Sequence, residues 1–175
     1  MAAPSIHVMI LDRESAGAYH NWKATTPVIQ KDLEEVGLFD IDVVTAPPSG
    51  WEFTTFKPEW SKSKVIVLNY HAHGNRWPAE LKASFETYVK DGGGLVVVHA
   101  ADNAFTAWDA NNEMIGVGGW RDRDERARRH WYWAGGKLVS DDKPGMAGHH
   151  GLRRRPFKMT AQNTEHPIMK GLPKT

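Results

Sequence analysis

Short strand-like runs alternate with helix-forming stretches along the first half of the chain, and this alternation is the feature that most limits the fold. The strand-like runs are residues 6–11, 39–44, 65–68 and 95–98. Apolar residues at helical spacing predict a first helix with Thr26 as N-cap, Pro27 at the first helical position and Gly37 at its end. Pro78 opens a second helix. This β-α-β order predicts a mostly parallel sheet with helices on both faces.

The pattern is weaker beyond His99. There we predict a short helix over residues 108–115, a hairpin over residues 131–139 and a last strand over residues 157–161. Residues 46–60 are interrupted by prolines, and we expect them to lie on the surface.

Length and composition are those of one α/β domain. The chain has 175 residues, of which 41% are hydrophobic and 25% charged, which is enough to bury a core. It contains no repeat and no linker, so we expect a single domain over residues 1–175. The sequence Gly171-Leu172-Pro173 is typical of a turn, which leaves open that the domain is truncated at its C-terminus.

Charge and hydropathy exclude several kinds of partner. The net charge of +1 gives no strong field for nucleic acid or an acidic membrane. No apolar run approaches the roughly 20 residues of a membrane helix. Residues 1–10 lack the features of a signal peptide. We therefore expect a soluble protein, cytoplasmic or else periplasmic or secreted after removal of a signal peptide. The sequence leaves open whether copies form a homo-oligomer.

The fourth strand runs into a turn of small residues that carries His99. Ala100 and Ala101 follow it, which is the pattern of a nucleophile elbow. The chain has no cysteine and the turn has no serine, which argues against an acyl-enzyme route. His99 is then a general base, a metal ligand or a polar residue that anchors the site.

Polar residues follow several predicted strands at the edge where ligands bind in open parallel sheets. They are Tyr19-His20-Asn21-Trp22 after the first strand, Asn69-Tyr70-His71 after the third, His99 with Asp102-Asn103 after the fourth, and His149-His150 in a later loop. We expect these segments to form one cleft, and the position of the later loop is the least defined.

Histidines are frequent, with nine in the chain. Three neutral imidazoles, or two with a carboxylate, would form an open site for zinc or iron. We select His20, His99 and His149 as candidate ligands of a divalent metal such as zinc. Their spacing matches no local metal motif, so structural histidines remain the alternative.

Eight tryptophans are also unusually many. One interpretation is that their rings fill gaps between elements of the core. The other is that flat ring faces stack on sugars in a cleft.

Several motifs, in order, resemble those of ThuA-like (trehalose utilisation) proteins. They are His20-Asn21-Trp22 with residues 24–27, residues 92–103 (GGGLVVVHAADN), Asn112-Glu113-Met114-Ile115-Gly116, Gly118-Gly119-Trp120, residues 148–151, and His166-Pro167-Ile168 with residues 171–173. The resemblance covers nearly the whole chain. It implies a flavodoxin-like three-layer sandwich of the class I glutamine amidotransferase-like superfamily, here without glutaminase activity because cysteine is absent.

The resemblance also implies an activity directed at sugars. We expect isomerisation or glycosidic cleavage of an oxidised (3-oxo) disaccharide or glycoside, with His99 as base or metal ligand. His20 and Asp102 would position the substrate or share the metal. The expected substrate contacts are Asn21, Trp22, Asn69, Tyr70, Asn103, Trp108, Trp120 and His149, with ring stacking by the tryptophans. The alternative is a non-catalytic sugar-binding module.

Overall fold

A four-stranded, all-parallel sheet lies at the centre of the fold, with strand order β2-β1-β3-β4. The computed structural model describes residues 5–15, 20–71, 76–116, 118, 122–123, 129–141, 145–146, 156–161 and 163–173. The sheet strands are β1 (Ile6–Ser15), β2 (Phe39–Thr45), β3 (Val65–His71) and β4 (Gly94–Val97). The main helices are α1 (Trp22–Val36), α2 (Ala79–Lys90) and α3 (Asp109–Ile115). The predicted α/β class is confirmed, and the strand order matches the start of the flavodoxin-like order.

Both faces of the sheet are covered, because successive side chains of a strand point to opposite sides. On one face Met9 and Leu11 join a large aromatic core beneath α2 and α3. On the other face Val8 and Ile10 pack with Val67 against the apolar side of α1. The result is a three-layer arrangement of helix, sheet and helices.

Helix α1 begins earlier than the sequence pattern predicts. Asn21 is its N-cap, and the Asn21 carbonyl accepts hydrogen bonds from the backbone N–H groups of Ala24 and Thr25 at 2.9 and 3.0 Å. The prediction of Thr26 as N-cap was therefore wrong, and Pro27 lies inside the helix. Gly37 ends α1 in the left-handed conformation, as predicted. Among the described residues, no helix is both long and apolar enough to cross a membrane.

The segment between β2 and β3 is more buried than predicted. Phe53 and Trp60 join the aromatic core, and the Trp60 indole N–H donates a hydrogen bond to the Ser84 hydroxyl at 2.9 Å. The expectation that residues 46–60 only cover the surface was wrong. Prolines prevent a regular helix or strand in this segment, but its aromatic side chains are still buried in the space beside α2.

The later part of the chain adds small antiparallel elements. The predicted hairpin is present as β6 (His130–Ala134) and β7 (Lys137–Asp141), and a two-stranded pair joins β5 (Asp122–Arg123) to β8 (Gly145–Met146). The predicted strand over residues 157–161 is absent from the described residues. Phe157 there is 79% exposed, so this segment has no sheet face to pack against.

Candidate active site

A cleft opens at the carboxyl ends of β1, β3 and β4, on the side of the sheet covered by α1. It encloses about 120 Å³ and is lined by Glu14, His20, Trp22, Thr25, Asn69, His71, Val98, His99, Ala100 and Ala101. Because α1 leads from β1 to β2 on one side while β3 lies on the other, the cleft is at the point where the strand order reverses. This is where open α/β sheets bind ligands. This volume, enclosed by the described residues, is below the roughly 300 Å³ of a typical small-molecule pocket.

His99 is held on a strained turn at the end of β4. The strand passes through Val98 into a short 3-10 helix, His99–Asn103, and His99 has a φ of 45°. A non-glycine residue in this left-handed region costs free energy and is common at functional sites. Ala100 and Ala101 are buried, so the small residues let the backbone turn tightly. The predicted elbow is present, and it places His99 in the wall of the cleft.

Three imidazole rings come together in the cleft. The ring centroids of His20 and His99 are 4.6 Å apart, and those of His20 and His71 are 6.0 Å apart. Burial, followed by the nearby His99, lowers the pKa of His20 below its usual range. Both causes disfavour the imidazolium form, so His20 is neutral near pH 7.

Asp102 and Asn103 lie on the same short helix as His99. Burial raises the pKa of Asp102, and the attraction of His99 acts in the opposite direction. The Asn103 Oδ1 atom is buried and accepts no hydrogen bond within the described part of the chain. Neither side chain lines the cleft itself.

Asn69 joins β3 to the start of α1. Its Nδ2 group donates hydrogen bonds to the hydroxyls of Thr25 and Thr26 at 2.9 and 3.0 Å. Asn21 is exposed beside the cleft, and its structural contribution is the backbone cap of α1. Of these predicted contact residues, Asn69 lies in the cleft wall.

Trp22 is the tryptophan that the described structure places in the cleft. The Arg13 guanidinium lies 5.5 Å from the centroid of its ring and the Lys23 ammonium 5.7 Å. These are cation–π distances. A sugar that stacks on Trp22 would therefore meet positive charge beside the ring.

Tyr70 and Trp108 do not lie in the cleft, contrary to our expectation of substrate contacts. The Tyr70 ring stacks on Phe105 at a centroid distance of 5.8 Å, and Trp108 donates a hydrogen bond from its indole to Glu86 at 2.6 Å. Both are buried in the aromatic core on the opposite face of the sheet. Tyr70 points there because it shares the face of Ile66 and Leu68 in β3.

Two predicted site residues, Trp120 and His149, lie outside the described residues. The predicted metal set of His20, His99 and His149 therefore has two described members. Within the described part of the chain, no group of three metal-binding side chains has a geometry that could hold a metal ion.

Glu14 and Thr25 line the cleft although we did not predict them as site residues. The first strand-like run was predicted over residues 6–11, whereas β1 continues to Ser15. Glu14 lies at the carboxyl end of β1, where open parallel sheets bind ligands, so it would have been selected had the strand been extended. Thr25 carried no such signal, because the first helix was predicted to begin at Thr26.

We expect His20 to titrate below the ordinary histidine value of about 6.5. Replacing His99 with glutamine will raise the pKa of His20, because the repulsive charge is removed. The pKa will stay below the ordinary value, because burial is the larger cause. NMR titration of the histidine ring protons measures both values. An unchanged His20 pKa in the His99→Gln protein would contradict the coupling.

Fold and site together define an α/β protein with a histidine-lined cleft at the switch point of a parallel sheet. Residues 7–175 match the family model described as trehalose utilisation, ThuA. The chain therefore belongs to the ThuA (trehalose utilisation) family.

A solved structure gives the same result. A ThuA-like protein from Parabacteroides merdae ATCC 43184 is 36% identical in sequence and superposes with a TM-score of 0.87. The match covers 98% of this chain and 59% of that chain. No functionally curated protein matches this sequence.

Proposed function

We propose that this protein is a carbohydrate-directed enzyme that removes a proton from a 3-oxo disaccharide or glycoside, leading to isomerisation or glycosidic cleavage. The observation that carries the proposal is the strained His99 at the cleft, with the His20 ring 4.6 Å away. The family's connection with trehalose utilisation supports a sugar as substrate.

His99 is the proposed general base. A neutral imidazole accepts a proton at neutral pH, and a positioned base typically contributes about 10²- to 10⁴-fold to the rate. The lowered pKa of His20 keeps that neighbour uncharged, so it does not repel the imidazolium formed on His99. Asp102 attracts this positive charge. The pair of neighbours thus favours transfer of the proton to His99.

The chemistry follows from the 3-oxo group. His99 takes the proton from C2, the C–H electrons form a C2–C3 double bond, and the carbonyl pair moves to oxygen as an enolate. In cleavage the carbonyl re-forms, a C1–C2 double bond appears and the C1–O bond breaks. The departing glycosidic oxygen takes the proton from His99, which restores the neutral imidazole. In isomerisation the proton of the 2-hydroxyl moves to the enolate oxygen on C3, the electron pair left on O2 forms the C2 ketone, and His99 returns its proton to C3.

The start of α1 would stabilise the enolate. Its first turn reaches the cleft through Trp22 and Thr25 and has no acidic side chain, so the positive end of the helix dipole faces developing negative charge. Electrostatic stabilisation of this kind is often the largest contribution to catalysis.

A divalent metal such as zinc is a second proposal for the same site. His20 and His99 would be two ligands, and the third would be His149 in a segment that the structure does not describe. A bound metal would polarise the ketone oxygen. Metal analysis of the purified protein, followed by turnover after chelation and after zinc is restored, tests this role.

The function is tested by incubating the purified protein with 3-oxo-trehalose and following the sugar by NMR. We expect new sugar signals that appear at a rate proportional to protein concentration. Shifts or broadening without new species would support the non-catalytic binding module instead. The tryptophans weaken that alternative, because Trp60, Trp77 and Trp108 lie in the core and not in the cleft.

A further inference from the structure

Glu14 occupies a position in the cleft that costs the backbone free energy. It has a φ of 59°, and Arg13 before it has a φ of 103°. The pairing of β1 with β3 shifts register between Arg13 and Ser15. Neither strained residue is glycine, and strained backbone of this kind clusters at functional sites.

The Glu14 carboxylate is held by Arg76. The two side chains form an ion pair between Glu14 Oε1 and Arg76 Nη1, with 11% and 17% of the side chains exposed. Arg76 Nη2 also donates hydrogen bonds to the carbonyls of Pro48 and Trp51 at 2.9 and 2.8 Å. A carboxylate has two oxygens and about four lone-pair directions. Glu14 can therefore accept hydrogen bonds from a ligand while Arg76 holds it.

A buried ion pair is a poor way to gain stability, because desolvation offsets much of the attraction. Apolar packing would be a simpler way to hold the segment around Pro48. The Glu14 carboxylate nevertheless lies at the cleft wall, on strained backbone and beside the Arg76 guanidinium. This placement points to a ligand that forms hydrogen bonds with the carboxylate. Among the described residues that line the cleft, Glu14 is the only carboxylate.

We propose that Glu14 is the specificity-determining residue of the cleft, which accepts hydrogen bonds from sugar hydroxyls and disfavours sugars with an anionic group on the bound ring. The inference rests on the proposed function, since it assigns the substrate class of the same site. Arg13 and Lys23 lie beside Trp22 at 5.5 and 5.7 Å and would favour an anion, so the charge preference is a direct test of Glu14.

The experiment compares binding of methyl α-D-glucopyranoside and methyl α-D-glucuronide by NMR titration. The proteins are the wild type, Glu14→Gln, Glu14→Asp and the control Glu35→Gln, which removes an exposed carboxylate from α1. Glu14→Gln keeps the shape and removes the charge. Glu14→Asp keeps the charge opposite Arg76, and so preserves the fold, but shortens the reach. Turnover of 3-oxo-trehalose is measured on the same samples.

We expect the preference for the glucoside over the glucuronide to be about ten-fold greater in the wild type and in Glu35→Gln than in Glu14→Gln, because the Glu14 carboxylate repels the carboxylate of the glucuronide. Glu14→Gln will weaken glucoside binding about ten-fold, as for loss of a charge-assisted hydrogen bond, without weakening glucuronide binding. Glu14→Asp will weaken glucoside binding and keep the preference. If Glu14 had only a structural role, Glu14→Gln and Glu14→Asp would not differ in their preference between the two sugars.

Equal preference in the wild type and Glu14→Gln, with both proteins folded, would overturn this inference and leave the proposed function standing if 3-oxo-trehalose is turned over. Sugar binding that depends on Glu14 without turnover would overturn the proposed reaction and support the assignment of Glu14. Absence of any sugar binding by the wild type would overturn both.

Discussion

Replacing His99 with asparagine will lower the turnover of 3-oxo-trehalose by about 10²- to 10⁴-fold, the usual contribution of a general base. Asparagine tolerates the left-handed φ of 45° at this position, so the elbow keeps its shape. It remains polar but cannot accept a proton near pH 7. The loss will fall on kcat, because the proton is transferred in the transition state and binding of the ground state needs no base.

His7 supplies the matched control. It lies near the start of β1, at the opposite edge of the sheet, where its ring contacts the carboxylates of Asp40 and Asp42 at 3.2 Å each. His7→Gln should therefore leave turnover close to the wild-type value. Steady-state kinetics on folded protein, checked by circular dichroism, measures both variants. Full turnover by His99→Asn would remove His99 from the proposed mechanism.

Replacing Trp77 with alanine will lower the free energy of unfolding by about 3–5 kcal/mol, the usual cost of deleting a buried aromatic side chain. Trp77 is 2% exposed and is the centre of the aromatic core. Its ring centroid lies 4.8 Å from that of Phe105, 5.5 Å from Phe85 and 6.0 Å from Trp60. Because native proteins are stable by roughly 5–15 kcal/mol, this loss is a large fraction of the total.

Trp131 is the matched control for this second prediction. It is 57% exposed on the β6–β7 hairpin, and surface substitutions usually change stability by less than about 0.5 kcal/mol. Urea unfolding followed by circular dichroism compares Trp77→Ala, Trp131→Ala and the wild type. A loss below about 1 kcal/mol for Trp77→Ala would contradict the central position of this ring in the core.

The sequence predicts the fold well, because alternating apolar runs and helix spacing are local signals. It predicts the elbow at His99 for the same reason, since small residues after a strand require a tight turn. The tryptophans are different. Ring size and composition do not say which face of an element a residue occupies, so Trp108 was assigned to a cleft although it fills the core.

The other differences between the predicted and the observed site arise because β3 and β1 are longer than predicted. With β3 continued to His71, period-two alternation places Ile66, Leu68 and Tyr70 on the core face and puts Asn69 and His71 at the cleft. That distinction was available from the sequence once the strand was extended. The positive φ angles of Arg13 and Glu14 were not, because neither residue type favours them and tertiary contacts impose them.

Exchange of the C2 proton of 3-oxo-trehalose in D₂O tests the central claim most directly. Proton abstraction precedes both isomerisation and cleavage, so the test does not depend on which product forms. We predict that the wild-type protein removes the C2 proton signal at a rate proportional to its concentration, and that His99→Asn does so at least about 10²-fold more slowly. A C2 signal that persists as long with protein as without it would contradict proton abstraction in this cleft.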